Sequence, residues 1–400
     1  MVSILTRIFG LTQLEMIEDA VQDTFAKALL SWRQKMPDNP EAWLVKAAKN
    51  RAIDLLRRAR ADDHRIGSLT NGAAVILLND LFLDNEIEDS QLRMVFTACH
   101  PSLNPKDQLA FALKTISGFG TREIASALLL KEETVKKRLS RARKAIIKQS
   151  ISFKIPSPSE LPSRLDRVLE VIYLTFNEGF HSNNKKILIR QELCGEAIRL
   201  CRLLLKKEFL RKGKVYALFA IMCFHSARLQ SRVDVQGEII DIKHQDRSLW
   251  YAPLIKLGHD AMVRATENGY NSVYHYEAAI AAEHLNAKTF DETNWSQILY
   301  WYDALLALQA SAFTRLNKSI VLLQMASFAE AKKILDTIKI TDLEQRKYLY
   351  FSAYAEYHHL TGNHKDALSA IEKCLALVNS EPERRYFERK KVFYGRASLA

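Results

Sequence analysis

The sequence predicts an all-α protein with more than one domain. Thirteen Gly and nine Pro are few for 400 residues, and a chain of short strands joined by turns needs more of both. Apolar residues recur at helical spacing from one end of the chain to the other. Four hundred residues also exceed the length at which one hydrophobic core keeps growing, so we expect at least two domains.

Net charge and cysteine content narrow the class of protein. The formal net charge is +12, and residues 131–148 hold eight basic residues beside two acidic ones. Positive charge concentrated in this way favours a polyanionic partner. The five cysteines form no C-x-x-C pair, which argues against a disulfide framework or a zinc site and for a reducing compartment. Without a signal peptide or a membrane-spanning apolar run, we expect a cytoplasmic protein.

The segment from Leu14 to Leu29 predicts a helix with one apolar face and one acidic or amide-bearing face. Apolar residues with helical spacing occupy positions Leu14, Ile17, Val21, Phe25, Ala28 and Leu29. The opposite face carries Glu15, Glu18, Asp19, Gln22 and Asp23. The pattern predicts that the first set packs inward and the second lies at the surface.

A second helix is predicted to begin at Asn39-Pro40-Glu41, with an N-cap residue, a proline in the first position and an acid in the first turn. This helix continues from Trp43 to Arg58 with its apolar residues facing inward. Its surface is basic and amide-bearing, with Lys46, Lys49, Asn50, Arg57 and Arg60.

Residues 122–146 predict a helix-turn-helix. A short helix from Glu123 to Leu129 has an apolar side of Ile124, Leu128 and Leu129, and a turn follows near Leu130-Lys131. In the second helix Val135, Leu139, Ala142 and Ile146 form one apolar stripe, and Glu132 and Glu133 occupy the first turn. The remaining face is basic, as expected of a helix in a DNA major groove. A solvated, lysine-rich surface helix would show the same pattern, so this helix alone leaves both interpretations open.

The C-terminal part predicts a helical domain behind a linker. Residues 150–163 contain three prolines and several serines, which a helix cannot cross. Farther on, Gly362–Leu375 places small and apolar residues at tetratricopeptide spacing, and Phe328–Leu335 resembles an earlier copy. An ordinary helical hairpin remains the alternative.

The polar residues of the C-terminal part show no catalytic or metal-binding motif, so we expect that the protein is not an enzyme. The candidates for acid–base or metal chemistry are Glu178, Asp234, Asp241, His244 and Asp246. None of them stands in a recognised metal-ligand spacing or beside a phosphate-binding glycine loop. We interpret them as loop anchors, capping groups or an interaction surface, and expect neither a cofactor nor a metal.

Several of these segments together resemble the bacterial sigma-70 family. Glu18–Phe25, the Asn39-Pro40-x-x-Trp43-Leu44 segment and Asn50–Arg58 look like region 2 of the extracytoplasmic-function type. Residues 91–147, including Thr134–Arg143, resemble region 4. Residues 151–400 look like the extension of one subgroup of this family, a helical domain ending in tetratricopeptide-like repeats.

The resemblance implies a domain order. Region 2, a helical bundle, covers residues 1–62, a linker covers 63–90, and region 4 covers 91–149. A Pro/Ser linker covers 150–163 and the helical extension covers 164–400. Because the family normally has a longer first helix than the segment that starts at Val2, we expect a region 2 truncated at its start.

The resemblance also implies partners for three helices. Core RNA polymerase would bind Glu18, Asp19, Gln22, Asp23 and Phe25. The melted −10 strand would bind Trp43, Lys46, Lys49, Asn50, Arg57 and Arg58. The double-stranded −35 element would bind Lys136, Lys137, Arg138, Ser140, Arg141, Arg143 and Lys144, with Lys136, Lys137, Ser140 and Arg141 towards bases and the others towards phosphates.

The predicted function is therefore an RNA polymerase sigma factor that directs promoter recognition, with a fused C-terminal regulatory or interaction domain. That domain would contact the sigma regions or another protein, and no membrane is involved. One alternative is a helix-turn-helix regulator with a tetratricopeptide sensor domain that does not dock on polymerase. Another is a tetratricopeptide scaffold, which leaves the first 150 residues without a role.

Overall fold

The chain divides into two compact helical units, Met1–Leu174 and Thr175–Ala400. The computed structural model describes residues 1–33, 36–40, 43, 44, 47, 48, 51, 54, 84–128, 130–181, 189–267, 269–270 and 272–397. Within these residues the secondary structure is helical, apart from one isolated bridge between Val233 and Ile239. The prediction of an all-α fold is confirmed.

In the described residues of the first unit, six helices and the start of a seventh have defined bounds. They are α1 (Val2–Phe9), α2 (Leu14–Trp32), α3 (Asp84–Ala98), α4 (Pro105–Thr115), α5 (Thr121–Ala127), α6 (Glu132–Lys148) and α7 (Leu161–Phe180). Local sequence explains where α4 begins: Asn104 caps it by accepting a hydrogen bond from the Lys106 backbone N–H, and Pro105 needs no partner there. Trp43 and Arg51, in the predicted second helix, are helical as well.

Helix α2 buries only part of its predicted apolar face. Leu14, Ile17, Val21 and Ala28 are buried, as predicted, and Ile17 and Val21 pack with Leu5 of α1. The prediction that Phe25 and Leu29 pack inward is wrong, because they are 46% and 69% exposed. Thr24 and Ala28, in the same half of the helix, are buried, so the buried face is narrower there than the apolar pattern predicts.

The first unit extends past the predicted Pro/Ser linker. No helix forms between Lys148 and Leu161, as the prolines predict, but Ile151 and Pro156 are buried. At the start of α7 the buried Arg164 donates from Nη2 to the carbonyl oxygen of Phe96, at 2.5 Å. Residues 151–174 therefore belong to the same compact unit as α3.

Ten further α-helices follow one another along the described part of the second unit. They are α8 (Gln191–Lys206), α9 (Gly213–Ala227), α10 (Ala252–Thr266), α11 (Val273–Asn286), α12 (Trp295–Leu308), α13 (Ala312–Gln324), α14 (Phe328–Asp336), α15 (Tyr348–Leu360), α16 (His364–Leu377) and α17 (Glu381–Ala397). Consecutive helices pack against each other. Gly258 lets α10 approach α9 closely, because a Cβ there would lie 2.4 Å from the Phe224 ring.

The two segments with repeat spacing form matching helical hairpins. Helices α13 and α14 join at Ala326, and α15 and α16 join at Gly362, both with positive φ (56° and 77°). The Ser327 N–H donates to the Leu322 oxygen at 2.9 Å, and the Asn363 N–H donates to the His358 oxygen at 2.8 Å. Equivalent positions are 36 residues apart, so both hairpins use the same turn.

Candidate functional site

Helix α6 separates into a buried stripe and an exposed cationic face. The buried residues are Val135, Leu139, Ala142 and Ile146, so the predicted stripe is confirmed. Exposed residues of the opposite face include Lys136, Lys137, Ser140, Arg141 and Lys144. This is the geometry by which a helix fixed on its own domain presents cations to a polyanion.

The first helix of the helix-turn-helix starts earlier than predicted. Helix α5 begins at Thr121 rather than Glu123, because the Glu123 carboxylate accepts from the Gly120 backbone N–H at 2.6 Å and thereby caps the helix. Ile124 is buried and Leu128 half-buried, whereas Leu129 lies outside the described residues.

Two arginines of α6 fasten it to α4. Arg141 donates from Nε and Nη2 to both carboxylate oxygens of Asp107, at 3.0 and 2.7 Å. These hydrogen bonds raise the pKa of Arg141, whose side chain is still 59% exposed. The half-buried Arg138 donates to the Lys106 carbonyl oxygen at 3.3 Å, and burial lowers its pKa. Both residues thus have a positioning role in the fold, besides the role in DNA binding predicted for them.

A third arginine of α6 joins it to α2. Arg143 Nη2 lies 2.5 Å from Glu18 Oε2, and the side chains are 22% and 6% exposed. Burial raises the pKa of the Glu18 carboxyl, and nearby Arg143 opposes that shift only in part. The prediction that Glu18 lies on the exposed face of α2 is therefore wrong. In this arrangement Glu18 and Arg143 bind each other, although each was predicted to bind another partner.

The rest of the predicted polymerase-binding face is exposed. Asp19, Gln22, Asp23 and Phe25 lie at the surface of α2. Asp23 pairs with Arg51 at 3.1 Å. Phe25 continues into the exposed Leu29 and Leu30, so acidic and apolar side chains stand side by side on one helix face, which is typical of a surface that another protein covers.

Most of the predicted −10 residues lie outside the described residues, namely Lys46, Lys49, Asn50, Arg57 and Arg58. Trp43 is described: it is half-buried, and its ring packs edge to face on Trp32, with centroids 5.6 Å apart. Arg51, which binds Asp23, is a further cation of this helix that was not among the predicted −10 residues.

Four of the five polar residues considered for chemistry in the second unit bind nearby residues of their own segment. Asp234 accepts from the Gln236 and Glu238 N–H groups, at 2.9 and 2.8 Å. Asp246 accepts from Ser248, and Asp241 lies 2.5 Å from His244 Nδ1. In the described part of the chain, no three His, Cys, Asp or Glu side chains are grouped so that they could hold a metal ion.

None of the helices described here combines the length and the apolar character needed to cross a membrane.

Models of three protein families match the chain. Residues 1–61 match Sigma-70 region 2, residues 93–146 match Sigma-70, region 4, and residues 164–266 match a family of unknown function, DUF6596. The chain therefore belongs to the sigma-70 family, whose members bind DNA and act with RNA polymerase in transcription initiation. A DUF6596 domain follows its two sigma regions.

Two similar proteins cover different lengths of the chain. Uncharacterized protein R00370 of Rhizobium meliloti (strain 1021) is 30% identical over 386 residues, which cover 93% of this chain and 88% of that protein. The ECF RNA polymerase sigma factor SigE of Mycolicibacterium smegmatis is 29% identical over 129 residues, 32% of this chain and 49% of that protein. No solved structure matches the chain. Similarity to R00370 thus continues through the second unit, whereas similarity to SigE covers about a third of the chain.

Proposed function

We propose that this chain is a sigma factor of the extracytoplasmic-function type that selects promoters in the cytoplasm and carries its own helical regulatory domain. The observation that carries the proposal is the pairing of two different surfaces in the first unit. Helix α6 presents a cationic face, and α2 presents an acidic and apolar one. A protein that binds DNA alone has no use for the second surface.

DNA recognition is assigned to the exposed face of α6. Lys136, Lys137 and Ser140 would face base edges, because lysine donates to guanine and a serine hydroxyl suits either base type. Lys144 would bind phosphate. Arg141 keeps more than half of its side chain exposed while it holds Asp107, so its outer surface would contact DNA without giving up this bond.

Polymerase binding is assigned to α2. Asp19, Gln22 and Asp23 would contact basic residues of the core enzyme, and Phe25 with Leu29 would be covered by it. A polar rim around apolar anchors is the usual anatomy of a protein interface. The helix that begins near Trp43 would bind the melted −10 strand, where cations follow the backbone and an aromatic ring stacks on an unpaired base.

The second unit is assigned a regulatory or interaction role, with a tetratricopeptide-like repeat towards its end. Its support is the shared turn of the α13–α14 and α15–α16 hairpins. A stack of such hairpins offers an extended surface for a protein partner. The domain would act on the sigma regions or on polymerase, in place of a separate regulator.

The test is binding of purified core RNA polymerase to the full-length chain and to Asp19→Lys. Asp19 is exposed, so the variant should fold and bind −35 duplex DNA as before while losing at least tenfold in affinity for the core enzyme. The matched control is Asp291→Lys, an exposed acid in the second unit, which should bind polymerase normally.

The regulator that needs no polymerase contact predicts a different result. In that case neither the original chain nor Asp19→Lys binds core enzyme, even at low salt. Run-off transcription with core polymerase and this chain as the sole specificity factor would then give no promoter-dependent product, and the proposal would be wrong.

A further inference from the structure

A basic groove lies in the second unit where three helices meet. It is formed by the end of α8, the start of α9 and the outer side of α10, within the part that matches DUF6596. Its volume is about 440 Å³, within the range of ligand-binding clefts. Four cationic side chains line it: Arg202, Lys206, Arg211 and Arg264.

Three of these cations have no carboxylate partner in the described part of the chain. Arg211 donates from Nε to the Leu205 carbonyl oxygen at 2.9 Å, and Arg264 lies 5.7 Å from the centre of the Tyr216 ring. Neither these two nor Arg202 forms an ion pair there. Elsewhere Arg141, Arg143 and Arg199 each bind a carboxylate. The groove therefore concentrates guanidinium groups whose preferred partners, planar oxyanions, are missing.

The floor of the groove is apolar. Phe219 and Ala261 are its buried lining residues, and Leu205 and the 40% exposed Leu257 also line it. Water forms no hydrogen bonds with such a floor. An apolar side chain that covers it removes apolar surface of both the groove and the ligand from solvent, which is favourable. A DNA backbone has phosphates that could bind the arginines but no large apolar group that could cover the floor. DNA therefore matches the charge of the groove and not its apolar surface.

From this combination we propose that the groove binds an acidic segment of a partner protein, in which carboxylates flank one large apolar side chain. The apolar side chain enters between Leu257 and Tyr216, and the carboxylates on either side bind Arg202 and Arg264. Asp260, the carboxylate of the lining, accepts a backbone N–H of the segment. The inference deepens the interaction role proposed for the second unit and rests on that role.

The experiment selects peptides on the full-length protein without polymerase. A phage-displayed library of random twelve-residue peptides is depleted on Arg202→Glu/Arg264→Glu and then selected on the unchanged chain. We expect enriched peptides with at least two acids around a Leu, Ile, Phe, Tyr or Trp. Their synthetic, fluorescein-labelled forms should lose at least tenfold in affinity for Arg202→Glu/Arg264→Glu, measured by fluorescence anisotropy, and weaken with added salt.

Two further variants separate charge from packing and from general effects. Leu257→Ser removes the apolar edge and keeps all charges, and it should weaken the same peptides at least fivefold. Lys288→Glu/Lys365→Glu reverses two exposed cations outside the groove and should bind them unchanged. Equal urea unfolding curves for all variants show that folding is intact.

Three results would overturn the proposal. One is a library with no enrichment over the double-glutamate variant. Another is enrichment of peptides without acids, and the third is displacement of the peptides by a twenty-base-pair duplex through Arg202 and Arg264. None of these measurements involves polymerase, so their failure leaves the Asp19→Lys result, and the sigma assignment, standing on its own.

Discussion

At the scale of single residues, Glu18 shows how burial changes an ion pair. Its carboxylate is almost fully removed from water, and Arg143 restores only part of the lost hydration, so the pKa of Glu18 is raised. A second oxygen of the same carboxyl, Oε1, is buried without a hydrogen-bond partner in the described part of the chain. The charged form of Glu18 is thus less favourable in the fold than in the unfolded chain.

This raised pKa predicts a pH dependence that is opposite to that of an ordinary carboxylate pair. The stability contributed by Glu18 is fully present below its unfolded pKa, about 4.3, and is lost as the pH rises through the higher folded value. Relative to Glu18→Gln, the unchanged chain should therefore lose free energy of unfolding between pH 4 and pH 7. Urea unfolding of both proteins across this range measures the difference, and a difference that grows with pH would contradict the assignment.

Lys144 is the residue that should report phosphate binding most directly. It is exposed, and in the described part of the chain it has no ion-pair partner. Lys144→Ala should weaken binding to promoter and to unrelated duplex DNA alike, and should reduce the slope of log affinity against log salt by roughly one. Titrations of labelled duplexes from 50 to 200 mM salt test this, with Lys154→Ala outside the helix-turn-helix as the control. A loss confined to promoter DNA would instead place Lys144 at a base.

At the scale of elements, the two hairpin turns of the second unit differ in one informative residue. Both require a left-handed backbone, which costs an L-residue about 1 kcal/mol or more and costs glycine nothing. The second turn has Gly362, but the first has Ala326, at φ 56°. The first hairpin therefore stores backbone strain that the second avoids.

A reciprocal pair of substitutions measures this strain. Ala326→Gly should raise the free energy of unfolding by about 0.5–1 kcal/mol, and Gly362→Ala should lower it by about 1 kcal/mol or more. Denaturant unfolding of the full chain gives both values. If both substitutions lowered stability equally, the two turns would not share one geometry.

Sequence periodicity predicted buried residues better where other helices cover the whole apolar face. The four buried residues of α6 were predicted correctly, and α4 and α5 both pack on that helix. The same reasoning failed for Phe25 and Leu29, because periodicity shows which residues share a face and not how much of that face a neighbour covers. The partners Glu18 and Arg143 are 125 residues apart, and no local pattern links them. Asp107 was also missed, although the Asn104-Pro105 helix start places it in a first turn.

At the scale of the whole molecule, the boundary between the two units lies within α7 rather than in the proline-rich segment. Proline spacing predicted correctly that no helix crosses residues 150–160. Proline spacing does not predict how such a segment packs. Ile151 and Pro156 are buried, and Arg164 binds the Phe96 carbonyl oxygen, so all three belong to the first unit. A fragment that ends at residue 150 would thus lose part of the first unit.

Two fragments test where the first unit ends. The fragment 1–150 removes Arg164 from the Phe96 carbonyl oxygen, and a buried hydrogen bond with a charged partner is worth about 1.5–3 kcal/mol. One kcal/mol shifts the Tm of a fragment of this size by about 2–4 °C, so its Tm should be about 3–12 °C lower than that of the fragment 1–174. Calorimetry measures the Tm of both fragments. Equal Tm values would show that the first unit ends at residue 150.

The bond between α2 and α6 finally links the two surfaces of the first unit. Arg143 is 22% exposed and holds Glu18 through Nη2, so if Arg143 binds a DNA phosphate, as the sequence predicts, a promoter and Glu18 compete for it. The observed dissociation constant for DNA then equals the intrinsic constant divided by the fraction of molecules with this bond open. If core polymerase separates Glu18 from Arg143 when it binds α2, it should therefore strengthen the binding of α6 to the promoter.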